Sequence, residues 1–99
     1  MQAHYPFVFE REMGCTADEL RGWLPGASRG RAITWQDRGA VIAIDSGHVT
    51  LRWQTLEPRR IALITLPRLE VKIEARDIDE IAWQRFMKHF DLYTQRGGG

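Results

Sequence analysis

The chain has little of what usually announces a reaction. It has one cysteine, Cys15, in 99 residues, so no disulfide can form within it. A lone thiol fits a reducing compartment, and a cytoplasmic location is expected. No apolar run approaches the ~20 residues of a membrane span. The N-terminus has no basic region followed by an apolar one, so no signal peptide is read and no membrane partner is expected. Neither sign of charge dominates: the formal net charge is +1, which supplies no general reason to bind nucleic acid. The histidines His4, His48 and His89 are dispersed without metal-ligand spacing. No metal site and no cofactor is expected from them. The chain contains no G-x-S-x-G, no P-loop and no G-x-G-x-x-G, so no catalytic residue is assigned and an enzyme is the less favoured class.

What is present is ordinary for a small globular domain. Apolar residues make up 43% and charged residues 27%, enough for one core without staples and too little for two. Residues 1–94 read as a single α+β domain and residues 95–99 as a flexible tail. The terminal Gly97-Gly98-Gly99 matches sulfur-carrier tails only in its last residues, and a flexible end is the plainer reading. Charge is unevenly spread. Residues 21–68 hold eight arginines against Asp37, Asp45 and Glu57, a net of +5. Within that stretch residues 28–31 (SRGR) offer backbone and guanidinium donors to an anion, with two solvated arginines as the simpler reading.

Residues 5–11 (YPFVFER) are aromatic and β-branched and predict a strand. Thr16 and Glu19 have the spacing of a capping box, so a short helix is expected to start there and stop at Pro25-Gly26. Three alternating segments follow, 31–37, 40–45 and 48–54, with turns predicted at Arg38-Gly39 and Ser46-Gly47. Ile33, Trp35, Ile42, Ile44, Val49, Leu51 and Trp53 then share one face. Residues 59–74 (RRIALITLPRLEVKIE) keep one alternation through Pro67 and predict a single long strand, entered from a loop near 56–59. Its first half is apolar on both faces. Leu69, Val71 and Ile73 face the core, while Ala62, Ile64 and Leu66 are expected on the outer face. If the preceding loop has two residues, Ile61 and Leu63 become the outward pair instead. A last helix is expected from Asp77-Ile-Asp-Glu80 to about Tyr93. Ala82, Trp83, Phe86, Met87, Phe90 and Tyr93 form its apolar stripe, with Gln84, Arg85, Lys88 and Asp91 on the wet side.

The order β-α-β4-α predicts a two-layer α+β fold: an antiparallel five-stranded sheet with a short N-terminal and a long C-terminal helix on one face. Carried by FVFER, the TADEL helix start, the two glycine hairpins, RIALITLPRLEVKIE and DIDEIAWQRFMKHF, this order resembles the TATA-binding-protein-like and helix-grip superfold. The resemblance implies topology and brings no functional motif. Two roles are weighed. The first is a binding or assembly module, a homodimer formed through the outer sheet face by Ala62, Ile64 and Leu66, with Thr50 and Arg52 as polar contacts. The alternative is a small apolar-ligand binder of helix-grip type, with Trp35, Trp53, Trp83, Phe86 and Phe90 lining a site between the last helix and the sheet. Cys15 beside a helix start, and the carboxylates Glu10, Glu12, Asp18 and Glu19, are read as structural; capping explains Glu19.

Overall fold

The computed structural model describes residues 4–95. Five strands and two helices follow in the order β1 (Val8–Met13), α1 (Ala17–Ala27), β2 (Ile33–Gln36), β3 (Gly39–Ile44), β4 (Gly47–Ile61), β5 (Ile64–Arg76) and α2 (Glu80–Gln95). The strands form one antiparallel sheet in the order β1-β5-β4-β3-β2. Both helices lie on its apolar face, and the result is the expected two-layer α+β fold. α2 includes Gln95, so the predicted tail loses its first residue to the helix; residues 96–99 lie outside the described residues.

Each helix starts where its sequence supplies acceptors. The Thr16 hydroxyl accepts from the Glu19 amide at 3.1 Å, and the Glu19 carboxylate accepts from the Thr16 amide at 2.9 Å. This reciprocal pair satisfies two amides that the first turn would leave unpaired. α1 passes through Pro25 and closes at Ser28, whose amide donates to the Leu24 carbonyl. It therefore ends three residues later than Leu24. A proline in the last turn removes one ladder bond there and leaves the rest of the helix intact. α2 is capped by Asp79, not Asp77: its carboxylate accepts from the Ile81 and Ala82 amides at 2.9 and 3.2 Å. Asp77 instead takes a left-handed turn at φ 57°.

The core lies between the helices and one sheet face. Leu20, Leu24 and Ala27 come from α1 and Trp83, Phe86, Met87 and Phe90 from α2. Ala40, Ile42, Ile44, Val49, Leu51, Trp53, Leu69, Val71 and Ile73 come from the strands. Burying each large side chain is worth about 1.5–3 kcal/mol, so this layer holds the fold together. The buried Trp83 indole donates to the Pro6 carbonyl at 3.0 Å, so its N–H costs nothing unpaired. Trp35 lies at the rim, 42% exposed. The Arg21 guanidinium sits over its ring at 4.9 Å and donates to the Gln36 carbonyl at 2.9 Å.

Two hairpin registers differ from expectation by two residues. The turns are Asp37-Arg38 and Asp45-Ser46, with Gln36 facing Gly39 and Ile44 facing Gly47. A slip of two leaves every side chain on its predicted face. Gly39 and Gly47 are strand residues needed for close approach: a Cβ would run into the Leu51 carbonyl at one and the Arg76 carbonyl at the other.

The larger correction concerns residues 59–74. They do not form one strand. β4 continues past the expected loop to Ile61, the chain turns at Ala62-Leu63, and β5 returns from Ile64. Ala62 takes the positive φ of the turn, 53°. Glu57 and Pro58 oppose Pro67 alone, a bulge between the Leu56–Arg68 and Arg59–Leu66 pairs. Two prolines without amide donors meet where the ladder is broken. Beyond the bulge β4 and β5 form a two-stranded arm with no third strand and no helix over it among the described residues. The principal dimensions are 46, 30 and 24 Å.

Candidate functional site

Positions predicted to contact one ligand are mostly spent on the core. Trp83 and Phe90 are wholly buried, Trp53 and Phe86 nearly so, and Trp35 is at the rim under Arg21. Trp83 stacks on Phe86 with centroids 5.9 Å apart, and Phe86 meets Phe90 at 6.2 Å. These rings fill the space between α2 and the sheet.

The expected interface set divides. Thr50 and Arg52 lie on the outer sheet face beside Lys72, Glu74 and Arg76, around a shallow depression of about 320 Å³. Ala62, Ile64 and Leu66 are on the arm. Ile64 is eight residues along β5 from Lys72, the partner of Arg52, or about 26 Å at strand rise. The two groups therefore do not form one patch.

The arm is the most exposed apolar element of the described residues. Ile61 is 54%, Ile64 59% and Leu66 43% exposed, and Leu63 at the turn is fully exposed. Ile61 faces Ile64 and Arg59 faces Leu66, so alternation puts Ile61, Ile64 and Leu66 on one side with Arg59. Arg60 and Thr65 are on the other. One side of the ribbon is thus an apolar strip with a cation at its inner end. The base of the arm is held by Arg68, which donates to the Glu12 carboxylate at 2.8 Å and to the Glu57 carbonyl at 3.2 Å. That hydrogen bond holds the Glu12 carboxyl below its ordinary pKa.

A second arrangement was hidden in the sequence. Asp91, expected on the wet side of α2, is 3% exposed. It receives both terminal nitrogens of Arg11, the second at 3.1 Å, and the Tyr5 hydroxyl at 2.6 Å. The carboxylate is therefore bound on both oxygens and its burial is compensated. Burial, then the hydrogen bond to Asp91, raise the Tyr5 pKa well above its ordinary value. Gln84 is also drawn inward: it donates to the Tyr5 carbonyl and accepts from the Tyr5 amide, both at 2.8 Å. The cluster ties residues 5–11 to α2. Cys15 is buried, and burial pushes its thiol up to about 11, which keeps it protonated and unreactive at neutral pH. Among the described residues no three His, Cys, Asp or Glu side chains converge as a metal site. No helix among them is long and apolar enough to cross a membrane.

Comparison with protein-family models, curated proteins and solved structures gave no match.

Proposed function

We propose that the protein is a small assembly module that forms a homodimer through the β4–β5 arm. The observation that carries this reading is the strip Ile61, Ile64 and Leu66 on an arm that no other element of the described residues covers. The partner is a second copy because such a strip can meet its own two-fold image. Burying the exposed half of each side chain is worth about 1 kcal/mol. One strip alone falls short of the roughly 4–15 kcal/mol cost of association, whereas a two-fold pair buries two strips and both turns. Arg59 and Arg60 provide the polar rim. The outer sheet face, where Arg76 is paired to Glu74 at 2.9 Å, is left to solvent in this reading.

The reading keeps the likeness to the TATA-binding-protein-like and helix-grip superfold as a likeness of element order. It places the dimer in the cytoplasm, where a single buried thiol needs no partner. It assigns no catalytic role. An apolar ligand beneath α2 has no observation in its favour, given the filled space around Trp83 and Phe90. Sedimentation velocity at tens of micromolar tests the proposal. The expected result is a dimer for the natural chain and a folded monomer for the Ile64→Asp, Leu66→Asp double variant. A monomer for both, with native circular dichroism, overturns it.

A further inference from the structure

The loop after α1 and the outer side of α2 enclose a groove of about 530 Å³ at the β3–β4 turn, at the opposite end of β4 from the arm. Its rim holds Arg29, Arg31, Arg85 and Lys88, with Asp45 as the single acid among the lining residues. None of these four cations has a carboxylate within ion-pair distance among the described residues. The outer sheet depression differs, because there Glu74 pairs with Arg76. Like charges gathered around one concave site repel each other, and a bound anion removes that repulsion.

Two of the cations, Arg29 and Arg31, are positioned by contacts. Arg31 donates to the Ser28 carbonyl at 3.1 Å and lies over the Phe86 ring at 5.8 Å. Arg29 meets His89 Nδ1 at 3.2 Å, and His89 Nε2 lies 3.2 Å from the Gly26 carbonyl. A carbonyl can only accept, so Nε2 carries the proton and Nδ1 accepts from Arg29. His89 thereby holds Arg29 toward the groove. The amides of Arg29, Gly30 and Arg31 are used within the loop, so the recognition falls to side chains. The remaining wall is apolar: Ala82, Phe86 and Leu92. The volume is far larger than one phosphate group needs.

We infer that this groove binds a phosphorylated small molecule with at least two negative charges and an apolar or aromatic body. Guanidinium forks match phosphate oxygens in bidentate geometry, and Lys88 adds a point charge. The body would lie along Ala82 and Leu92. The inference goes beyond the assembly role and does not depend on it.

Isothermal titration calorimetry at low salt tests it, with adenosine diphosphate, pyrophosphate and adenosine as probes and a single-stranded oligonucleotide as competitor. Adenosine diphosphate is expected to bind with a Kd of about 100 µM or tighter, pyrophosphate more weakly, and adenosine not detectably. The Arg29→Glu, Arg85→Glu double variant should weaken adenosine diphosphate by about tenfold or more, while Arg59→Glu, Arg60→Glu on the arm should leave it unchanged. Arg29 and Arg85 are exposed, so the variant is expected to fold, and circular dichroism checks that. Silence with both phosphates at millimolar concentration overturns the inference. So does binding that the groove variant does not alter, or an oligonucleotide that binds through the same arginines more tightly than adenosine diphosphate.

Discussion

At the scale of single residues, Asp91 shows how burial converts a surface-looking side chain into a structural one. Its two oxygens are shared between Arg11 and Tyr5; removing Arg11 would leave a buried charge uncompensated, and removing Asp91 would leave the Tyr5 hydroxyl without its acceptor. This gives the fold a specific alkaline limit. The Tyr5 pKa is raised in the folded chain, whereas in the unfolded chain it ionises near its ordinary value of about 10. Below that pH the phenol is protonated in both states and its contribution is fully present. Above it the unfolded state gains by ionising and the folded state does not, so stability falls by up to about 1.4 kcal/mol per pH unit. Urea denaturation between pH 9 and 11 should show this slope, about two-state in form. Tyr5→Phe should be less stable at pH 8 by about 1 kcal/mol and flatter in its pH dependence.

At the scale of elements, the contact of α1 with α2 depends on Gly26. A Cβ there would overlap the Tyr93 ring and hydroxyl. Gly26→Ala should gain about 1 kcal/mol of helix propensity and lose more to overpacking, a net destabilisation of about 1–2 kcal/mol by chemical denaturation. Element identity was largely legible. Thr16 and Glu19 announced α1, and the apolar stripe from Ala82 to Tyr93 announced α2. The alternation of Ile42, Ile44, Val49 and Leu51 placed the core face even though each turn lies one residue earlier than expected, which shifts the pairing by two. The β4–β5 turn was not legible, because Ile61-Ala62-Leu63-Ile64 contains no glycine, asparagine or proline and Ala62 takes the left-handed conformation unannounced. Pro58 and Pro67 mark a bulge, as is expected at Pro67 of a residue that cannot donate to the ladder. Asp91 was misread because α2 is flanked at that point by Arg11, a cation 80 residues earlier that no local pattern reveals.

At the scale of the whole molecule, the arm and the helix-covered sheet are separable. No core residue comes from residues 57–66, and Leu56 faces Arg68 across the base of the arm. Replacing residues 57–67 by Asn-Gly should therefore close a two-residue hairpin of favoured type and leave the core in place. The expected thermal midpoint lies within about 5 °C of the natural chain's, since about 1 kcal/mol corresponds to that shift in a domain of this size. The same variant should sediment as a monomer and should keep any phosphate binding by the groove. A collapse of the fold on excision would show that the arm supports the core by a route other than packing.

The contact of Arg21 with Trp35 and Gln36 has a consequence for how copies of the chain avoid each other. An open sheet ends in strands whose outward backbone groups can template a further strand, which is the route to fibrils. β2 is one such edge, and it is only four residues long. Arg21 covers its aromatic ring and hydrogen-bonds the Gln36 carbonyl beside the β2–β3 turn, which puts a guanidinium at this edge. A charged side chain at that place disfavours the addition of a further strand and the open-ended polymer it would start.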